Sequence, residues 1–92
     1  MAEEAVKKRL ERAKKRAIEY FSKTGYKIVD SNNKTFCFIA TRKREVRFIR
    51  VVIDRIVEVD IQSAKEISLP DSCTREIFCQ KKNDFEIMEI EG

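Results

Sequence analysis

Residues 35–55, TFCFIATRKREVRFIRVVIDR, have the alternating pattern of two buried strands joined by a basic turn. We predict strands at 35–41 and 46–54, separated by a turn at 42–45. The second strand is apolar on both faces, which is typical of a central strand in a sheet covered on both sides. Its apolar positions are Val46, Phe48 and Val52 on one face and Ile49, Val51 and Ile53 on the other. Arg50 interrupts this pattern in the middle of the strand.

Hydrophobic periodicity predicts the elements on either side of this hairpin. Residues 2–24 form an amphipathic helix, whose apolar residues recur at three- and four-residue steps and which Gly25 ends. The other predicted elements are a strand at 26–30, a helix at about 60–68, and strands at 74–81 and 85–90. Asp60 is the expected N-cap of the second helix. Turn residues separate these elements, and no internal repeat or linker divides the chain.

This order predicts an α/β fold with the sequence α-β-β-β-α-β-β in a single domain over residues 1–92. A strand-helix-strand passage favours a right-handed crossover, and therefore a parallel pair between the third and fourth strands. The short connections elsewhere favour antiparallel pairs. We expect a mixed sheet flanked by the long N-terminal helix and the short second helix.

Composition restricts the class of protein. With 92 residues, 42% apolar and 39% charged, the chain can form one modest core. There is no histidine, and Cys37, Cys73 and Cys79 form no CxxC pair, so we expect buried free thiols and neither a metal nor a cofactor. The charged N-terminus and the lack of a long apolar run predict a cytoplasmic protein without a membrane partner.

The charge is distributed unequally along the chain. Residues 1–50 carry 15 Lys and Arg against 6 Asp and Glu, whereas residues 51–92 carry 5 against 10. A basic half favours a polyanionic partner such as nucleic acid, and an acidic half favours a basic protein or self-association. The candidate nucleic-acid-binding residues are Lys8, Arg12, Lys15, Arg16, Arg42, Lys43, Arg44, Arg47 and Arg50.

The element order and several local segments resemble the restriction-endonuclease-like fold of the PD-(D/E)XK nucleases, in particular the small archaeal Holliday-junction resolvases. The similar segments run through the whole chain: TGYKIVDS, NNKTFCFIA, RFIRVVIDR, LPDS and REIFCQKKNDFEIMEI. In such nucleases an aspartate on the second strand and a glutamate on the third bind a divalent metal, and a lysine two residues after the glutamate assists the nucleophile. The resemblance implies the fold, not an intact active site.

The three positions that match this motif carry other residues. Cys37 stands at the aspartate position, Arg50 at the glutamate position and Val52 at the lysine position. A thiol is a poor magnesium ligand, an arginine repels a metal, and a valine carries no charge. The resemblance therefore implies a nuclease fold with a degenerate active site. A migrated site that combines Asp30 or Glu45 with Asp54 is the alternative.

Arg50 has more than one interpretation. Its stem could cover Phe48 and Val52 while the guanidinium reaches water or a carboxylate such as Glu19 or Asp30. It could also retain affinity for a phosphate where the family binds a metal. A third possibility is that the strand register is misplaced. If Cys37, Arg50 and Val52 converge on one pocket, the inactive-nuclease interpretation is favoured.

Three functions remain open from the sequence. The first is a non-catalytic protein that binds duplex or structured nucleic acid through the basic helix and the hairpin at 42–50, because no aromatics are interleaved with the basic residues. The second is a protein-interaction or homodimerisation domain that uses the final strand, FEIMEI, as an edge. The third is a divergent metal-dependent nuclease.

Overall fold

The computed structural model describes residues 2–91. Two helices and five strands follow each other in the predicted order. Their bounds are α1 Ala2–Lys23, β1 Lys27–Asp30, β2 Phe38–Arg42, β3 Glu45–Ile53, α2 Glu58–Glu66, β4 Cys73–Gln80 and β5 Phe85–Ile90. The α/β class and the α-β-β-β-α-β-β order are confirmed.

The five strands form one mixed sheet in the order β1-β2-β3-β4-β5, so the doubly apolar strand β3 is central, as predicted. β1, β2 and β3 form an antiparallel meander. β3 and β4 are parallel, joined by the crossover through α2, and β4 and β5 form an antiparallel hairpin. The parallel register aligns Ile53 with Gln80, so the carboxyl ends of β3 and β4 lie side by side.

Each face of the sheet packs against one helix. Ala13, Ala17 and Phe21 of α1 are fully buried against one face. On this α1 face the sheet contributes Phe38, Ala40, Ile49, Val51 and Phe78 to the hydrophobic core. A smaller core on the other face is built from Phe36, Ala64, Ile77 and Ile90, with Phe48 and Val52 packed against it. Because side chains of β3 alternate between the two faces of the sheet, this strand contributes apolar residues to both cores.

The start of β2 differs from the prediction. We expected the strand to begin at Thr35, but its ladder begins at Phe38. Local bonds hold the preceding segment out of the sheet: the Asn33 Oδ1 atom accepts from the Phe36 N–H at 2.7 Å. Phe36 then packs on the α2 face and Phe38 on the α1 face, which a regular strand with its two-residue period could not achieve.

The start of α2 also differs. The helix begins at Glu58, after Val57, rather than at the predicted N-cap Asp60. Asp60 lies within the first turn, where its Oδ2 atom accepts from the Val57 N–H at 3.2 Å. The Val57 N–H has no acceptor within the helix, and the Asp60 carboxylate supplies one. An acidic residue at this position therefore resembles an N-cap in the sequence. The end of α2 also lies two residues earlier than predicted, at Glu66, whereas the other predicted ends shift by at most one residue and β5 is as predicted.

Within residues 2–91, neither helix has the apolar length needed to cross a bilayer.

Candidate nucleic-acid interface

Arg42 and Arg47 of the predicted basic hairpin are held by an internal network. Arg42 donates from Nε and Nη2 to the Glu45 Oε2 atom at 3.0 and 2.9 Å, and from Nη1 to the Thr24 carbonyl at 2.9 Å. Arg47 lies between two carboxylates, 3.4 Å from Glu45 and 3.3 Å from Glu76. These contacts engage three N–H donors of Arg42 and two of Arg47, so a phosphate would compete with protein oxygens for both guanidinium groups.

An aromatic ring completes this network. The guanidinium carbons of Arg42 and Arg47 lie 4.4 and 5.1 Å from the centre of the Tyr26 ring, and the Tyr26 hydroxyl donates to Glu45 at 3.1 Å. We call Tyr26, Arg42, Glu45, Arg47 and Glu76 the Glu45 network. It lies beyond the carboxyl end of α1, and its side chains join the α1–β1 connection to β2, β3 and β4.

The two carboxylates of the Glu45 network have opposite electrostatic environments. Hydrogen bonds from Arg42 and Tyr26 hold the pKa of Glu45 below its usual value. Burial raises the pKa of Glu76, although Arg47 and the Thr74 hydroxyl partly oppose this. Glu89 on the neighbouring strand β5 is directly opposite Glu76 and also raises its pKa. Glu45 therefore favours its charged state, whereas Glu76 resists it.

Arg50 is also paired, although not with Glu19 or Asp30. Its Nε and Nη2 atoms donate to the Asp60 Oδ1 atom at 3.1 and 3.0 Å, and Nη1 donates to the Thr35 carbonyl at 2.9 Å. The side chain of Asp60 is only 10% exposed and that of Arg50 is 23% exposed. Arg50 thus links β3 to the first turn of α2 and to the segment before β2.

The three positions that match the nuclease motif do not converge. Cys37 packs against the core beneath α1, whereas Val52 packs against the core beneath α2. Arg50 points toward α2 as well, because it contacts Asp60. Cys37 is separated from the other two because the chain changes sheet face between Phe36 and Phe38. Within residues 2–91, no cluster of three carboxylates or thiols is suited to hold a metal ion.

The remaining basic residues are exposed. Lys43 and Arg44 form the tip of the β2–β3 turn, where Lys43 adopts a positive φ of 54°. Lys8 is exposed on α1, and Arg12, Lys15 and Arg16 lie on the flank of this helix. Within the part of the chain that the structure describes, none of these six side chains forms an ion pair. Such side chains retain free donors for a ligand.

A groove runs along the flank of α1 that faces the β4–β5 turn. One part of it, about 510 Å3, lies over the carboxyl ends of β3 and β4. It is lined by Arg9, Arg12 and Arg16 from α1, by Asp54 and Gln80 at the strand ends, and by Lys81 and Lys82 from the turn. In open α/β sheets, the crevice beyond the carboxyl ends of parallel strands is the usual ligand-binding position.

A second depression of about 520 Å3 continues the groove toward the carboxyl end of α1. Arg12 and Arg16 line both parts, so we treat them as one α1 groove. The second part is also lined by Lys15, Glu19, Tyr20, Lys23 and Phe85. Seven cationic side chains and two carboxylates therefore border the α1 groove.

Only two of these cations have an acidic partner in residues 2–91. Arg9 contacts Asp54 at 2.5 Å, and Lys81 contacts Glu86 at 3.5 Å. All four side chains of these two pairs are roughly half exposed, and exposed pairs contribute little to stability because water and salt screen them. The positive charge of the α1 groove is thus largely uncompensated.

The sequence prediction included three of the seven cations that border the groove. It missed the other four, Arg9, Lys23, Lys81 and Lys82. A usable signal was present for Lys81 and Lys82. A parallel β3–β4 pair places the residues after both strands at the same edge of the sheet, and Lys81-Lys82 follows β4 directly. The angular position of Arg9 could not be assigned without knowing which side of α1 faces that edge.

The final strand, proposed from the sequence as a surface for self-association, lies at an edge of the sheet. β5 forms one edge of the sheet, and Met88 on it is 41% exposed. Glu86 and Glu89 are also exposed on this strand. Charged residues on an edge strand discourage pairing with a second copy.

Comparisons of the chain with protein-family models, with curated proteins and with solved structures gave no match. The nuclease resemblance therefore rests on element order and local sequence, and it stays a prediction.

Proposed function

We propose that this chain binds the phosphate backbone of nucleic acid through the α1 groove, as a binding protein rather than a nuclease. One observation carries the proposal: arginines from α1 and lysines from the β4–β5 turn converge on one groove at the carboxyl ends of β3 and β4. Phosphate recognition depends on such a concentration of cationic donors.

The proposed interface is narrower than the sequence suggested. Arg42, Arg47 and Arg50 have protein carboxylates and carbonyls as partners, so a phosphate would have to displace these bonds. Arg12 and Arg16 need no such exchange. Lys15 lines the groove as well. Lys8, Lys43 and Arg44 are exposed cations outside it that could add long-range attraction without defining the site.

The absence of cleavage is part of the same proposal. The positions that correspond to the nuclease motif hold Cys37, Arg50 and Val52, and Arg50 is committed to Asp60. Incubation of supercoiled plasmid and a four-way junction with magnesium or manganese tests this point. Cleavage that is lost in Asp54→Ala would contradict it and support the divergent nuclease.

Binding is tested by fluorescence anisotropy with labelled 20-nucleotide single strands and their duplexes at low salt. We expect an affinity that falls steeply with salt, and a roughly tenfold loss in Arg12→Gln/Arg16→Gln, because two phosphate contacts are removed. The slope of log affinity against log salt should fall by about 0.7 to 0.9 per contact.

A matched control variant loses two positive charges, as Arg12→Gln/Arg16→Gln does, but at positions outside the groove. Lys34 and Lys65 are exposed, and Lys34→Gln/Lys65→Gln should bind nearly as tightly as the parent protein. Equal losses in both variants would show that binding follows net charge and not the α1 groove. No binding by the parent protein to any of these probes at low salt would overturn the proposed function.

A further inference from the structure

We propose that the α1 groove takes single-stranded nucleic acid, with an unpaired base stacked on Tyr20 beside Phe85. This inference rests on the proposed function and specifies the form of nucleic acid that the groove accepts. In the sequence, aromatic residues are not interleaved with the basic ones, which favoured duplex. In the fold, α1 and β5 bring two aromatic rings into the basic groove.

The two rings come from distant parts of the chain. Tyr20 lies near the end of α1 and Phe85 is the first residue of β5, and both line the part of the groove that also contains Arg12, Arg16 and Lys23. Tyr20 is 36% exposed, so part of its ring is available to a ligand. A base on this ring would lie among cations that could hold its phosphates.

Buried core residues pack against Tyr20 and Phe85. Tyr20 and Phe85 contact each other edge to face, with ring centres 5.1 Å apart. Phe85 stacks on the fully buried Phe78 at 4.7 Å and 15°, and Tyr20 contacts the fully buried Phe21 at 5.2 Å. Rings fixed in this way lose little conformational freedom when a base stacks on them.

This arrangement favours a single strand over a duplex. In a duplex the base faces are stacked on each other, whereas an unpaired strand can turn a base onto an aromatic side chain. The charges of Arg9, Lys81 and Lys82 lie in the adjoining part of the groove, where neighbouring phosphates of the same strand can bind. Stacking of this kind tolerates any base.

The test compares four polyanionic probes: oligo(dT) and oligo(rU) of 20 nucleotides, a 20-base-pair duplex, whose two strands carry more phosphate charge than either single strand, and inorganic polyphosphate. We expect both single strands to bind more tightly than the duplex. Tyr20→Leu keeps an apolar contact with Phe21 and Phe85 and should weaken single-strand binding about tenfold, the effect of losing one base stack. Tyr20→Phe should retain the parent affinity, and polyphosphate binding should not change in either variant.

A second readout does not depend on altering Tyr20. The chain has two tyrosines, so Tyr26→Phe leaves Tyr20 as its one tyrosine fluorophore. Titration with oligo(dT) should quench this fluorescence, and polyphosphate should not.

The outcomes separate the inference from the proposed function. If the single strands bind through Arg12 and Arg16 but Tyr20→Leu has the parent affinity and no quenching occurs, the inference is wrong and the proposed function stands. Tighter binding to duplex than to single strands would also overturn it. If neither nucleic acid nor polyphosphate binds the parent protein, the proposed function itself fails. Unequal affinities for oligo(dT) and oligo(rU), with stacking retained, would support the inference and show whether the groove prefers DNA or RNA.

Discussion

Arg12 and Arg16 of α1 and the arginines of β2 and β3 all belong to basic stretches of sequence but have different surroundings. Arg12 and Arg16 are exposed and have no acidic partner in residues 2–91. Arg42, Arg47 and Arg50 each contact at least one carboxylate within 3.4 Å. The first group is available to a ligand, whereas the second holds strands, a turn and a helix together.

This difference shows that the number of basic residues in a segment does not identify a binding surface. A guanidinium contributes to phosphate binding only if its donors are free, and its protein carboxylates compete for the same bidentate geometry. In this chain Arg12 and Arg16 are distinguished from Arg42, Arg47 and Arg50 by pairing, not by charge. Mutations should therefore separate the two groups into those that affect binding and those that affect stability.

The largest effect on stability is expected at Arg50 and Asp60. Asp60→Ala leaves Arg50 without its ion-pair partner in a partly buried position and removes the bond to the Val57 N–H. We expect a loss of about 2 to 4 kcal/mol in the free energy of unfolding, near the lower range for breaking a buried pair. Urea denaturation monitored by circular dichroism measures it.

A double-mutant cycle isolates the pair itself. Arg50→Met combined with Asp60→Asn should cost clearly less than the sum of the two single changes, because neither charge is then left buried alone. Strict additivity would mean that Arg50 and Asp60 do not stabilise each other. Lys34→Gln is the surface control and should change stability by less than about 0.5 kcal/mol.

A smaller effect is expected in the pH dependence of the free energy of unfolding. Within the Glu45 network, Glu45 and Glu76 should contribute to it with opposite signs. The lowered pKa of Glu45 gives stability that is present above its usual value of 4.5 and is lost as the pH falls through the lowered pKa. The raised pKa of Glu76 gives stability that is present below 4.5 and is lost as the pH rises through the raised pKa.

Two glutamine variants test these signs. The stability deficit of Glu45→Gln should be constant above pH 4.5 and should shrink below it. Glu76→Gln should instead gain stability relative to the parent protein as the pH rises above 4.5, because the variant avoids burying a charge. Thermal unfolding from pH 3 to 8 measures both differences, with the pH range chosen from the usual carboxyl pKa. A Glu76→Gln difference that is independent of pH would refute the assignment.

The sheet could be predicted from the sequence because periodicity and connection length determine it. β3 is apolar on both faces and so had to be central, and the helix between β3 and β4 required a parallel pair. The start of β2 could not be predicted, because Phe36 and Phe38 read as one strand face but pack on opposite sides of the sheet. The hydrogen bond to Asn33 that holds this segment out of the sheet leaves no periodic pattern in the sequence.

The candidate site was predictable only in part. Arg12, Lys15 and Arg16 were identified from the basic face of α1, but the sequence does not reveal which cations have partners. The partner of Arg50 was missed because Asp60 was assigned as an N-cap outside the helix, whereas it lies in the first turn of α2, facing β3. Tyr20 and Phe85 were not recognised as neighbours, since 65 positions separate them in the sequence.

The central claim is that free arginines bind and paired arginines stabilise. The most direct test measures both oligo(dT) affinity and thermal unfolding for Arg12→Gln/Arg16→Gln and for Arg42→Gln/Arg47→Gln, which have the same change in charge. We expect the first variant to lose about tenfold in affinity with little change in Tm, because two phosphate contacts are lost. The second should retain its affinity and unfold about 5 °C lower, for a loss of about 1 kcal/mol. The reverse result, with binding lost only in the second variant, would contradict the account.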